Sequence, residues 1–428
     1  MTPSRCDRRD FLRRSLATGG LLSLGGTTIP GFLADTARAA RLRSNPAEGR
    51  RRLVVIQLLG GNDGLNTVVP HTHDLYKQAR KALRIESNRA LTITPEIGLH
   101  PDLKGLADLL ENHRLAIVQG VGYPNPDRSH FRSMEIWETA RRDAHPDALE
   151  RGWLGRAIES RRDLSEPSDP PGLQIGRATR SLALKSSRVE VPAVTDLAQY
   201  RLRLSGDEAT RAKARAALEA IARGSTPADI PNPPANPLLG FARRATISAL
   251  GSSRRLEEVG PAPDSLSGSR FGLARRLGEI ARVIRAGFST PIFYTTLDGF
   301  DTHANQFQIH ANLLRELADS VAAFHAALSE SGHQDETAIL IFSEFGRRVA
   351  ENASLGTDHG AAAPVFVIGP VAQSGLIGDH PRLDDLDDGD LKHHTDFRRI
   401  YAALLEHWLK IPAQPVLGDF IPLNLFAV

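Results

Sequence analysis

The stretch "TTLDGFDTHANQ" (295–306) places Asp298, Asp301 and His303 within six residues, directly after the apolar run "PIFY". Four other places carry similar side chains after apolar runs or beside them. "LLGGNDGLNTVVP" offers Asp63, "NPDRSHF" offers Arg128, Ser129 and His130, "FSEFGRR" offers Glu344, and "GTDHGAAAP" offers Asp358 and His359. Gathered carboxylates repel and raise one another's pKa unless a cation sits among them. The lone cysteine, Cys6, falls in a segment expected to be removed, so a metal here is held by oxygen and imidazole nitrogen. That ligand chemistry suits one or two divalent ions, Zn²⁺, Mn²⁺ or Mg²⁺. Two such ions can clamp an anionic ester. Ser129 at a helix start is a candidate nucleophile, and Arg128 beside it a candidate for a phosphate or sulfate oxygen. His130 reads as a ligand, a general acid or a packed side chain.

These groups act together only if the elements beneath them converge. Leu53–Leu59 and Leu115–Gly122 are apolar runs, and "TPIFYTTL", "TAILIFSEFG" and "APVFVIGP" follow in the C-terminal third. Helical segments such as "QIHANLLRELADSVAAFHAALSES" and "DFRRIYAALLEHWL" alternate with them. The pattern predicts an α/β fold, a largely parallel sheet covered by helices on both faces. Such sheets bind ligands beyond the carboxyl ends of their strands, where the groups above are expected. Residues 160–290 read as a helical insertion or cap, with basic helices at Asp196–Arg223 and Phe271–Ala286. No GxGxxG phosphate loop is present. The acidic run Asp384–Asp390 reads as a solvated loop.

Several residues have plain structural readings. Asp63 lies among turn-forming Asn and Gly. Ser129 and Asp396 have the type and place of helix caps. Glu344 has Arg347 and Arg348 close by for an ion pair, and Asp358 can cap a turn or orient His359.

The chain has 428 residues, 41% hydrophobic and 24% charged, with a formal net charge of +3. Residues 1–39 hold six arginines and three aspartates, leaving 47 basic against 47 acidic groups in the rest. With no basic stripe interleaved with aromatics, a nucleic-acid partner is not expected. "DRRDFLRRS" followed by a glycine-rich apolar stretch and "ARA" reads as a twin-arginine leader over residues 1–39. It implies the twin-arginine translocase as a partner and a periplasmic or extracellular destination. The apolar stretch is too short for a stable membrane anchor.

From about Arg51 onward the chain resembles the bacterial domain-of-unknown-function 1501 family. The matching stretches are "LLGGNDGLNTVVP", "NPDRSHF", "GFDTHANQ", "FSEFGRR", "GTDHGAAAPVFVIG" and "TDFRRIYAALLEHWL". The family is in turn similar in layout to the alkaline phosphatase and sulfatase superfamily. The resemblance implies an alkaline-phosphatase-like domain over residues 40–428. It makes Asp63 a metal ligand, Ser129 the nucleophile, and Asp301, His303 and His359 the first metal site. "SEFG" departs from the superfamily, with Glu344 in place of Asp and Phe345 in place of His, which weakens the second metal site. The activity implied is metal-dependent hydrolysis of phosphate or sulfate esters, on a small-molecule or glycan substrate. The alternative is a binding protein that keeps the fold around a degenerate site.

Overall fold

A computed structural model describes residues 51–142, 151–160, 169–197, 207–223, 255 and 258–427. The proposed twin-arginine leader lies outside these residues. Nine strands form the central sheet: β1 Arg52–Leu59, β2 Leu115–Gly122, β3 Leu173–Ile175, β4 Ala193–Val194, β5 Ile292–Asp298, β6 Thr337–Ser343, β7 Ala363–Ile368, β8 Gly375–Ile377 and β9 Thr395–Asp396. The helices named below are α1 Gly64–Thr67, α2 Lys104–Glu111, α3 His130–Thr139, α4 Trp153–Ser160, α5 Glu208–Arg223, α6 Gly272–Arg285, α7 Gln306–Glu330 and α8 Phe397–Ala403.

The sheet order is β8-β2-β7-β6-β1-β5-β3-β4, with β9 also paired to β2. Every neighbouring pair is parallel except those made by β7, which runs against both β2 and β6. The sheet is therefore mixed but mostly parallel, as the alternation of strands and helices predicts. The reversal has a consequence for the site. The residues before β7 lie at the same edge as the residues after β1, β2, β5 and β6.

Both faces of the sheet are covered, which explains the continuous apolar strands. Val54, Ile56 and Leu58 of β1 pack on one side with Leu277 and Ile284 of α6 and Leu314 and Val321 of α7. Leu53 and Val55 point the other way, into a cluster with Trp137 of α3, Trp153 of α4 and Tyr401 of α8. On that side Trp137 stacks on Phe397 at 4.3 Å and Trp153 on Tyr401 at 4.0 Å between ring centroids. The segment expected as a helical insertion supplies α5 and α6, and also β3 and β4, which extend the sheet beyond β5. Among the described residues no helix is long and apolar enough to cross a membrane.

Two buried imidazoles below the sheet edge give a pH dependence. His310 of α7 meets Asn62 Oδ1 through Nε2 at 2.9 Å, and its ring lies edge-on to His100 at 6.0 Å. Burial pushes His310 down to about 3 and His100 to about 4, with Arg80, Arg347, Arg89 and Arg315 adding to the effect and Asp63 and Asp102 opposing it. The unfolded chain then binds protons that the fold excludes. Stability is complete above about pH 6.5 and falls as pH drops towards 4, by up to about 1.4 kcal/mol per pH unit for each ring. His130, whose pKa is raised, acts in the opposite sense, but it is one partly exposed group against two buried ones. Urea midpoints at pH 7.5 and pH 5 are expected to differ clearly. Equal midpoints would mean that the buried rings accept protons in the folded state.

Candidate metal centre

The loop after β1 sets the floor of the site. Gly60 and Gly61 have φ of +118° and +76°. A Cβ on Gly60 would lie 2.3 Å from the Asp301 nitrogen, and one on Gly61 would lie 2.2 Å from the Phe345 ring. Only glycine permits this backbone and this closeness. Arg347, fully buried, ties the strand ends together by donating to the carbonyls of Gly60, Gly61, Phe300 and Thr357 and to Asp301 Oδ1. Glu344 follows β6, is also buried, and accepts the Gly60 N–H at 2.8 Å. The Ser133 hydroxyl on α3 donates to the Glu344 carbonyl at 2.9 Å, which fixes the start of that helix over the same edge.

Three histidines converge on this floor. His130 Nδ1 faces Glu344 Oε1 at 2.8 Å, His303 Nδ1 faces Asp358 Oδ1 at 3.1 Å, and His359 Nδ1 faces the Arg128 carbonyl at 2.8 Å. Each of these partners only accepts, so each Nδ1 carries a proton, and in the neutral ring each Nε2 presents a lone pair. The Nε2 atoms meet around Asp301. Its Oδ1 lies 3.1 Å from His303 Nε2, 3.2 Å from His359 Nε2 and 3.5 Å from His130 Nε2. His303 Nε2 and His359 Nε2 are themselves only 2.9 Å apart. Two lone pairs at that distance repel unless a proton or a metal cation lies between them. His130 Nε2 is buried and has no hydrogen-bond partner among the described residues. The ligand atoms of His130, Asp301 and His359 all lie within 4.8 Å of one another, so this group can hold a metal ion.

The electrostatics match. Asp301 is pushed down to about 2: its partial burial works upward, but Arg347, His359 and His303 outweigh it. His130 is raised by the Glu344 hydrogen bond against its own burial, and His359 is lowered, chiefly by burial. Phe345 is buried beside the cluster, its ring centroid 4.8 Å from both His130 and His359. It forms an apolar wall where the superfamily resemblance implies a further ligand.

Of the residues singled out in the sequence, Asp301, His303 and His359 come together, and His130 joins them. Four others are placed differently. Asp63 is fully buried, with both oxygens paired to Arg80 and one also receiving Gln306 Nε2, so it stands outside the cluster as a structural acid. Burial works to raise its pKa, yet Arg80, His310 and Gln306 together hold it below the usual range. Among the described residues Glu344 is paired with no arginine, and it orients His130. Asp358 orients His303, not His359. Arg128 is engaged by Asp390 and Asp388, whose carboxylates lie 2.8 and 3.0 Å away.

Two further expectations need correction or refinement. The run Asp384–Asp390 is not simply solvated, because Asp390 is buried against Arg128. Ser129 holds the N-cap position of α3, but its side chain makes no capping hydrogen bond; Asp127 Oδ1 accepts its N–H instead. Asp396 does cap α8, accepting the Arg398 N–H at 2.9 Å. Sequence reasoning missed Arg347 as the residue that binds the strand ends, although "FSEFGRR" contains it.

Sheet and cluster together define an α/β protein with an imidazole–carboxylate centre at the carboxyl ends of its strands. The chain belongs to the family described as "Protein of unknown function (DUF1501)", whose model matches residues 116–407. No curated protein matches it. Among solved structures it is similar to a protein in the alkaline phosphatase superfamily from Vibrio parahaemolyticus, at 9% identity and TM-score 0.36, over 92% of this chain and 78% of that one. It is also similar to the lipoteichoic acid synthase LtaP from Listeria monocytogenes, at 11% identity and TM-score 0.32, over 82% and 74%. A third is the phosphonate monoester hydrolase SpPMH from Silicibacter pomeroyi, at 11% identity and TM-score 0.29, over 87% and 77%. At these scores the class of fold rests on this chain's own strand order and directions.

Proposed function

We propose that the chain is an exported, metal-dependent hydrolase of phosphate or sulfate esters, acting on a small-molecule or glycan ester. The observation that carries this reading is the meeting of three imidazole Nε2 atoms and the Asp301 carboxylate, with each Nδ1 already committed to an acceptor. His130, Asp301, His303 and His359 would hold one ion, and three imidazoles favour Zn²⁺ over Mg²⁺. Such an ion supplies positive charge to the ester oxygens and lowers the pKa of a hydroxyl brought to it. Phe345 leaves no acid or imidazole for a second ion at its position. Ser129, exposed and immediately before His130, is the nucleophile in this reading. The twin-arginine translocase is its partner in export.

A second reading, a binding protein with a degenerate site, is favoured by Phe345 and by a Ser129 hydroxyl that no base contacts among the described residues. Purified mature protein separates the two. The expected result is about one equivalent of bound metal, turnover on a panel of aryl phosphates and sulfates, and loss of that turnover by about 10³-fold or more in Ser129→Ala with metal retained. Ligand binding that survives Ser129→Ala without any turnover supports the second reading. Metal-free protein from every preparation defeats the first.

A further inference from the structure

The hairpin Leu386–Leu391 turns through Asp388 and Gly389, both with positive φ, and presses two acids against two arginines. Arg128 meets Asp390 Oδ2 at 2.8 Å and Asp388 Oδ2 at 3.0 Å. Arg348 Nη2 meets the same Asp388 oxygen at 3.0 Å, and Arg348 Nε lies 3.6 Å from Asp390 Oδ1. The two acids differ in one respect. The Asp390 side chain is 3% exposed, whereas that of Asp388 is 74% exposed. Asp390 is the fixed counterion; Asp388 is a solvent-facing carboxylate whose oxygen bridges two guanidinium groups.

A carboxylate oxygen shared by two arginines occupies the place a phosphate or sulfate oxygen takes in the same setting. Without the Asp388 carboxylate, two positive charges face one buried negative charge; Arg348 Nη2 keeps its bond to the Asp388 carbonyl at 2.9 Å, and the N–H groups that met the carboxylate are left for an anion. The pair also borders the candidate metal centre. The Arg128 carbonyl accepts His359 Nδ1 at 2.8 Å, and the Arg348 N–H donates to the Asp358 carbonyl at 3.0 Å.

We propose that Arg128 and Arg348 form an oxyanion-binding pair at the mouth of the site, and that Asp388 occupies it until an anion displaces it. The ligand is a phosphate or sulfate group, either as a second anionic group of the ester substrate or as the free ion. This deepens the proposed function, because it assigns that substrate two anionic groups, yet anion binding can be read without turnover.

The test is calorimetric titration of metal-loaded protein with inorganic sulfate and inorganic phosphate, on wild type, Asp388→Asn, and Asp388→Asn combined with Arg348→Gln. Asp388 is exposed at a turn, so Asp388→Asn is expected to melt with wild type. It should bind the free ions about tenfold more tightly, and adding Arg348→Gln should remove the gain. Equal affinity in wild type and Asp388→Asn overturns the proposal, as does a gain that persists in the double variant. Should the protein turn over esters, a drop in KM on Asp388→Asn only for substrates with two anionic groups identifies the substrate as the source. An equal drop for mono-anionic esters defeats that assignment. A protein that hydrolyses nothing but shows the sulfate gain keeps the pair and loses only the hydrolase.

Discussion

His359→Ala is expected to lose metal affinity by more than about a hundredfold while remaining folded. Removing an outer partner of a metal-binding histidine already costs about 10- to 100-fold, and His359 supplies a ligand atom itself. Its side chain is 23% exposed and belongs to no apolar cluster, so truncation opens no core cavity. What it leaves is the Arg128 carbonyl without its donor, at the solvent edge, a cost of about 1 kcal/mol. It also removes the 2.9 Å contact between two Nε2 atoms, which strains the metal-free protein. The two readings of that contact therefore separate cleanly. If a cation binds there, wild type at zinc a hundredfold above its Kd gains about 2.7 kcal/mol, visible as a raised Tm, and His359→Ala gains almost nothing. An undiminished zinc-induced shift in His359→Ala would sink the four-residue centre. Asp358→Asn, which disturbs only the partner of His303, is expected to fall between the two.

The strands were legible because burial on both faces writes itself as apolar runs. Leu53–Leu59 and Leu115–Gly122 need no partner information to be recognised, and they lie within β1 and β2. The place of Asp301 and His303 was legible for a related reason: parallel strands deliver their trailing residues to one edge. His359 precedes β7 and reaches that edge only because β7 runs the other way, so its place followed from the family resemblance. The reversal of β7 was not read, although its signal exists. Residues 344–362 separate β6 from β7 with no helix among them, whereas the crossover between parallel strands is usually built on one.

Pairings across long sequence distances were not legible at all. Asp63 in "GGNDGLN" looks the same whether it faces a metal, solvent or a guanidinium, and nothing near Arg80 announces that it is buried. Arg128 finds its acids 260 and 262 positions away, and Glu344 finds His130 214 positions away. Charge type predicts that a partner is needed; only the fold decides which.

Arg80→Ala is expected to destabilise the protein by about 3–5 kcal/mol, the range for breaking one side of a buried ion pair. Arg80 is 0% exposed and donates to both oxygens of Asp63 and to the carbonyls of Arg348 and Val349. Asp63 also receives Gln306 Nε2, and Gln306 Oε1 in turn accepts the hydroxyls of Thr302 and Thr357. The network thus joins the loop after β1, the segment that leads from Asp301 into the start of α7, and the loop between β6 and β7; the last two carry Asp301, His303 and His359. Truncating Arg80 leaves a buried carboxylate with no cation and two carbonyls with no donor, each costly in a dry interior. Against a total stability of about 5–15 kcal/mol, that loss is a large share. Asp63→Asn, which keeps the shape but removes the charge, leaves Arg80 uncompensated and is expected to destabilise by a similar amount. Asp63→Asn combined with Arg80→Met should recover part of the loss, because the pair leaves together and no charge is stranded. Thermal melting of the three variants, alongside metal titration at a temperature where each is folded, decides between the two roles of Asp63. A structural acid predicts a lower Tm with metal affinity retained. Asp63→Asn that melts with wild type but releases its metal would return Asp63 to the ligand set.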